Sequence, residues 1–469
     1  MKKSIIHGVI ILAMTTFAGC DKYLDKLDNP NLVTDPPING QLATVTYETG
    51  MNCYRMGDVT SYFTQYLASN QQASDADIYN EVDYSTTWSN FYAAMMNIRQ
   101  MIDKADATSA FQHRGVGKIL MAYNLNMLVT TFGDVPYSEA MQGQQLLVPK
   151  FDSQTDLLQT SLLLLEEGIA DLQLTGASVE LGTSNDVIHG GNAEAWIKTA
   201  YALKARFLNQ LSKTSAYDPA QILSTLENAY TSNGDDAALI AFDGRSPWNQ
   251  AAYDNTQLLL DGWLSSQFVD ALNGTTFGIE DPRLPKIATL TQFGDYRGTP
   301  NGAGRIGTGT DDEESYLSLD GYYSKGGAPI LLVTYAEMKF IEAEAAFHNN
   351  DKATAYAAYL AGINAHMSKL GVSDADRNAY VNNPAVSVGE DDLTLDLIFK
   401  EKYVAMFLNP ESWVDMRRHD YQYKDFDLPE HAAMNTFIRR VAYPTIEISR
   451  NGANVPTITG LDEKLVWDE

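Results

Sequence analysis

The densest run of hard oxygen donors in the chain is Asp311-Asp312-Glu313-Glu314, set in glycine-rich sequence, and calcium is the ion such a run could hold. The spacing does not alternate about a glycine turn as an EF-hand loop requires, so a solvated acidic loop is the expectation and a cation site the weaker reading. Other carboxylate pairs, Glu166/Glu167 and Glu342/Glu344, are sequence neighbours on helix-forming stretches, where side chains one or two positions apart do not face each other. The 7 histidines are scattered, and His366, at helical spacing with Ile363 and Leu370, reads as a satisfied core or boundary residue. No His-Glu-x-x-His, Gly-x-Ser-x-Gly, phosphate-loop or clustered Cys/His pattern occurs. The chain is therefore expected not to be an enzyme; a glycoside hydrolase with its acid and base on distant loops is the alternative, because that geometry depends on separation in space.

Aromatic residues offer a different chemistry. The chain has 26 Tyr and 6 Trp, planar amphipathic rings that suit the faces of sugars. Rings at three-to-four spacing, such as Phe91, Tyr123 and Phe207, are needed to pack helices. Those in irregular sequence remain: Tyr79, Tyr84, Trp248, Tyr253, Tyr296, Tyr316, Tyr322 and Tyr323, with Asn249, Asp295 and Arg297 nearby as orienting polar groups. Trp248 ranks first, since indole has the largest stacking area and its flanking Pro247 and Asn249 disfavour a regular buried strand. The competing reading is that these rings pack the irregular layer or face a partner protein.

At the amino end, Lys2 and Lys3 precede a mostly apolar stretch from Ile5 to Phe17, which closes on Ala18 and Gly19 before Cys20. This pattern predicts an export signal over residues 1–19, too short and too broken to serve as a membrane span. Phe17-Ala18-Gly19-Cys20 resembles a bacterial lipobox, which implies a lipid-modified Cys20. Several acyl chains would anchor firmly where one binds only marginally. Only 2 cysteines are present, so Cys53 then has no disulfide partner and is expected to be a buried small hydrophobe. The formal net charge of -27 and the lack of a basic stripe argue against a nucleic-acid partner.

These residues must be positioned by helices. After a tether over 20–40, marked by Asn29-Pro30-Asn31 and Asp35-Pro36-Pro37, apolar stripes recur at helical spacing. They include Trp88-Phe91/Tyr92-Met95-Ile98-Ile102, Val116-Ile119/Leu120-Tyr123-Met127, Leu158-Leu162-Leu165-Ile169-Leu172 and Trp196-Ala200-Leu203-Phe207-Leu211. Residues 41–231 thus form the first part of a helical scaffold. The stretch 232–330 is an irregular, aromatic-rich excursion with one helix carrying Leu258, Gly262 and Leu264 to Phe268. Residues 331–469 return to helix, through Leu332-Ala336-Phe340-Ala343-Phe347 and Tyr359-Ile363-His366-Leu370, then over 392–408 and near 431–437, and end in strand-like pieces around 444–449. The fold class expected is mainly α, a superhelix of TPR-like helical pairs with a long irregular ligand-bearing excursion and few short strands.

Six groups of residues carry a resemblance. Thr131-Phe132-Gly133-Asp134-Val135-Pro136-Tyr137-Ser138-Glu139 is followed by Gly190-Gly191-Asn192 with Trp196, Ala200, Leu203, Lys204, Arg206 and Phe207. Tyr335 to Ala345, then Glu401, Pro410 to Arg418, and Arg439-Arg440-Val441-Ala442-Tyr443-Pro444 complete the order. Together they resemble the SusD/RagB-like lipoproteins, in particular the shorter nutrient-binding subgroup. That resemblance implies four TPR-like helix pairs, attachment to the outer leaflet of an outer membrane, and a lid-like complex with a TonB-dependent, SusC-like barrel transporter. It also implies a captured nutrient, an oligosaccharide first and a peptide or glycoprotein fragment as the alternative; a structural surface lipoprotein is a further alternative. Read physically, the same motifs are mainly structural: Gly133 ends a helix, Pro136 stops it resuming, Trp413 anchors a turn, and Arg417 and Arg418 pair with acids such as Glu401 or Glu411.

Overall fold

The computed structural model describes residues 35–257, 262–307 and 312–469. The signal segment, Cys20 and Asp311 lie outside the described residues. Four helix pairs build the scaffold. They are α1 (Ile38–Phe63) with α2 (Ser85–Thr108), α3 (Phe111–Phe132) with α4 (Gln154–Leu172), α5 (Ala193–Asn209) with α6 (Pro219–Leu226), and, after the excursion, α9 (Tyr335–His348) with α10 (Lys352–Lys369). Between the third and fourth pairs lie α7 (Pro247–Thr256) and α8 (Ser266–Leu272). The carboxy-terminal part adds α11 (Asp374–Val381), α12 (Leu395–Ala405), α13 (Glu411–Arg418) and α14 (Thr445–Asn451). Two short antiparallel pairs tie distant segments together: β1 (Leu67–Ala68) with β3 (Trp263–Leu264), and β2 (Ala237–Leu239) with β4 (Ile330–Val333). The mainly α, paired-helix fold class is the one observed.

Local chemistry explains where the helices begin and end. Asn192 caps α5 by accepting from the backbone N–H groups of Glu194 and Ala195, and Gly190 and Gly191 before it hold φ of 60° and 77°, values that suit glycine. Asp186 completes this start, accepting from the Gly191 N–H and from Trp196 Nε1 at 2.7 Å. Thr334 and Glu337 form a capping box at α9. Gly133 ends α3 at φ 88°, after which the Tyr137 and Ser138 N–H groups are gathered by Asp152.

Three expectations are corrected. Among its described residues the 232–330 excursion holds two α-helices rather than one: α7 starts at the Ser246 cap with Pro247 as its first residue, and α8 starts at the Ser265 cap and takes in only the end of the expected helix, since Trp263 and Leu264 are strand and Leu258 lies outside the described residues. Residues 444–449 are not strand-like, because Pro444, extended at the N-cap, launches α14. No helix forms near 431–437, where His431 takes a φ of 60° in a run of turns.

The scaffold core carries charges in closed sets. Arg206 pairs with Glu337, joining α5 to α9. Arg418 pairs with Glu344 at 2.6 Å and Asp415 at 2.6 Å, and Lys402 takes the other oxygen of Asp415. Arg417 pairs with no carboxylate among the described residues; its guanidinium lies 3.6 Å from the Trp413 ring centroid and donates to the Thr130 and Arg439 carbonyls. Glu401 belongs to Arg283 and Lys400, and Glu411 accepts from Gln210, so neither takes the expected arginine. Trp413 does anchor its turn, fully buried with Nε1 on the Tyr421 hydroxyl at 2.8 Å. Cys53 is buried, and burial pushes its thiol up to about 11.

Candidate functional site

On α1, Tyr54, Asp58 and Tyr62 recur every four residues and therefore share one face. Opposite them stands α7, whose Pro247, Gln250, Ala251 and Asp254 recur at three-to-four spacing. Between the two faces is a cavity of about 450 Å³, lined also by Tyr84, the N-cap residue of α2, and by Trp248. That volume lies within the range of small-ligand sites. Tyr54 meets Trp248 edge-on, with ring centroids 4.9 Å apart. Burial pushes the Tyr54 and Tyr84 hydroxyls well above the usual phenol range, so both remain neutral groups able to donate and accept. Gln250 donates to Asp254 at 2.7 Å and accepts from Arg245, which fixes its amide at the cavity edge. Four rings, the Gln250 amide and the Asp58 and Asp254 carboxylates can therefore contact an uncharged polyol.

The expected site residues are divided by the structure. Trp248 and Tyr84 line this cavity, although Trp248 is only 3% exposed and doubles as packing. Asp295, Tyr296 and Arg297 line a separate cavity of about 750 Å³, where Arg297 is already committed to Asp295 at 2.6 Å and to the Phe293 ring. Tyr253, also on α7, lines neither cavity and carries Arg245 over its ring at 3.7 Å. Tyr322 lines neither and packs edge-on against Tyr323. Tyr79, Tyr316 and Tyr323 are buried: Tyr79 against Phe63, Tyr316 against Trp263, and Tyr323 with its hydroxyl 2.8 Å from His366 Nε2. Asn249 is turned inward and donates to the Ser324 carbonyl at 2.7 Å. The three tyrosines are taken up by packing in the core, and Asn249, on α7, by its bond to the backbone. His366 is the satisfied core histidine expected, with burial and Arg283 holding it well below the usual imidazole range.

Tyr54 and Tyr62 were not anticipated, because rings at helical spacing read as core. The acidic Asp58 between them marked that face as something other than core. Around the acidic run, Glu314 is buried and held by Arg305 and by the Ile306 N–H at 2.8 Å, while Asp312 is exposed. Among the described residues no three His, Cys, Asp or Glu side chains converge as a metal site.

The family described as "Starch-binding associating with outer membrane", of the SusD-like type, matches residues 30–444. No curated protein matches the chain. Among solved structures, a SusD/RagB family protein from Bacteroides thetaiotaomicron is 21% identical over 92% of this chain and 99% of its own, with a TM-score of 0.77. A chitin-binding SusD homolog from Flavobacterium johnsoniae is 20% identical over 92% of this chain and 98% of its own, with a TM-score of 0.76. A further chitin-binding protein is 24% identical over 92% of this chain and all of its own, with a TM-score of 0.73. At these identities the likeness shows a common fold.

Proposed function

The chain belongs to the SusD-like family, and from that premise we propose that it is a surface lipoprotein, anchored through Cys20, that captures an oligosaccharide and delivers it to a TonB-dependent outer-membrane transporter. The observation that carries the ligand reading is the meeting of Tyr54, Tyr62, Tyr84 and Trp248 on one cavity together with Asp58, Gln250 and Asp254. Stacked rings hold the apolar faces of sugars, and the polar groups orient their hydroxyls. Two relatives of the same fold are named as chitin-binding, which supports a glycan over a peptide. The role is capture rather than catalysis, in keeping with a family described by what it binds. The lipobox-like end supports anchoring by acyl chains, and no helix among the described residues is long and apolar enough to cross a membrane.

A calorimetric screen of neutral and charged oligosaccharides and of peptides against the chain tests the ligand. Binding of a glycan that Tyr84→Ala weakens is the expected result; binding of peptides alone, or release of new reducing ends, would overturn the reading. For the anchor and partner, Cys20→Ser is expected to shed the protein from membranes, and mild-detergent purification of the unaltered protein to bring down a barrel transporter.

A further inference from the structure

Away from the aromatic cavity, α8, α12 and the turn at residues 422–424 enclose another of about 470 Å³, mostly apolar, walled by Phe277, Tyr403 and Tyr423. Two ammonium groups converge on one ring of that wall: Lys400 Nζ lies 4.7 Å from the Phe277 centroid and Lys424 Nζ lies 5.5 Å from it. Like charges are brought together in this way only at a cost, unless anions compensate them. Lys400, nine-tenths buried, is compensated by Glu401 at 2.7 Å, and Glu401 with Asp281 also serves Arg283. Two carboxylates thus balance two cations, and Lys424 is left over. Among the described residues its acceptor is the Thr276 carbonyl at 2.6 Å, and no carboxylate lies within ion-pair reach.

An ammonium has three N–H donors. Lys400 spends two, on the Tyr380 hydroxyl at 2.8 Å and on Glu401, and Lys424 spends one. Three donors therefore remain beside an aromatic wall, in a chain whose net charge is -27. Asp396 is the one carboxylate on the lining; it is 77% exposed at its side chain and lies 3.2 Å from His419 Nε2, so water screens it from the lysines. Gln267 and Gln422 complete the rim with amides.

We propose that this cavity is a second ligand site, selective for a sugar ring bearing an anionic substituent, a carboxylate or a sulfate. The ring face packs on Phe277 and Tyr423, and the anion takes the free donors of Lys424 and Lys400. The sugar rests on the function proposed above; the preference for an anion rests on the lysines alone. Lysine acts as a point charge, so carboxylate and sulfate are both accepted.

Calorimetry on the detergent-solubilised full chain tests this with three disaccharides: galactobiose, digalacturonate and 6-O-sulfated galactobiose. Both anionic forms are expected to bind at least tenfold more tightly than galactobiose, less so as salt rises. Lys424→Gln, at an exposed side chain, is expected to bring them down to the neutral level with an unchanged melting curve, and Phe277→Ala to weaken them too. Tyr84→Ala, in the other cavity, should leave the anionic probes bound. Equal affinity for charged and neutral disaccharides, no binding of either anion, or indifference to Lys424→Gln would overturn the second site. Loss of anionic binding through Tyr84→Ala would assign those sugars to the first cavity instead. Failure of neutral glycans to bind at all, with the anionic forms still Lys424-dependent, would count against the first cavity only.

Discussion

Tyr54 on α1 and Trp248 on α7 meet edge-on with their planes at 77°, so a scaffold helix and an excursion helix share one aromatic wall. The candidate site is therefore a joint between two parts of the fold. Trp248 serves it twice, as a face toward the cavity and as packing beneath it. Trp248→Ala is expected to weaken glycan binding and also to cost about 3–5 kcal/mol of stability, the range for emptying a buried aromatic position. A denaturant titration beside the binding isotherm checks both; a stable variant with unchanged affinity would remove Trp248 from both roles.

Tyr84 separates the two effects. It is half-buried on the cavity lining, at the N-cap of α2, where its side chain makes no capping hydrogen bond. Tyr84→Ala is expected to lower affinity by about 1 kcal/mol or more, the threshold for an aromatic that matters to binding. The melting temperature should move little. Affinity within error of the unaltered protein would shift the glycan away from this cavity.

Arg418 and Glu344 are separated by 74 residues and meet at 2.6 Å in the core. Removing one member strands a buried charge, so Arg418→Met is expected to cost about 3–5 kcal/mol. Burial pushes the Glu344 carboxyl up, but Arg418, Lys402 and the Asn209 amide outweigh it and hold the group at about 2. A depressed carboxyl contributes stability that is complete above the ordinary value of 4.5 and is lost as pH falls toward 2. The unaltered protein should therefore lose stability over that interval, and Glu344→Gln should lose less, as urea midpoints at stepped pH would record.

How far these features could be read in advance depends on the period of the signal. Stripes such as Leu158-Leu162-Leu165-Ile169-Leu172 are long enough to specify α4, and four of those five side chains are buried, with Leu165 at 0% exposure. In the excursion the helices are only 10 and 7 residues long, too short for a period to emerge, and their signal lies in the caps Ser246-Pro247 and Ser265. The site suffers from the same limit. Loop position alone cannot distinguish Tyr84, which lines the cavity, from Tyr79 five residues earlier, which takes a φ of 62° and turns into the core. Long-range pairings such as Arg418 with Glu344 rather than Glu401 or Glu411 leave no trace in local spacing, because all of these acids are buried and only the tertiary arrangement of the helices selects among them.

Glu411 provides the opposite pH response. Its carboxylate is buried at the start of α13, and its side-chain partner is neutral: Gln210 Nε2, at 3.1 and 2.9 Å from its two oxygens. Burial pushes the group up to about 7; Arg206 and Lys402 pull it down, while Asp415 and Glu337 add to the rise. In the unfolded chain the carboxyl ionises near its ordinary 4.5. Between these values the folded state holds a proton that the unfolded state has released, so stability falls as pH rises from about 4.5 and levels off above about 7. The span corresponds to roughly 3 kcal/mol at 1.36 kcal/mol per pH unit. Glu411→Gln cannot ionise, yet its amide oxygen can still accept from Gln210. The variant should match the unaltered protein near pH 4.5 and become progressively more stable than it toward pH 8. Urea titrations of both proteins across that range read the difference directly, since the contributions of Glu344 and every other group common to the two cancel. A difference that does not change with pH would mean that Glu411 is ionised in the fold throughout, with Arg206 rather than burial setting its state.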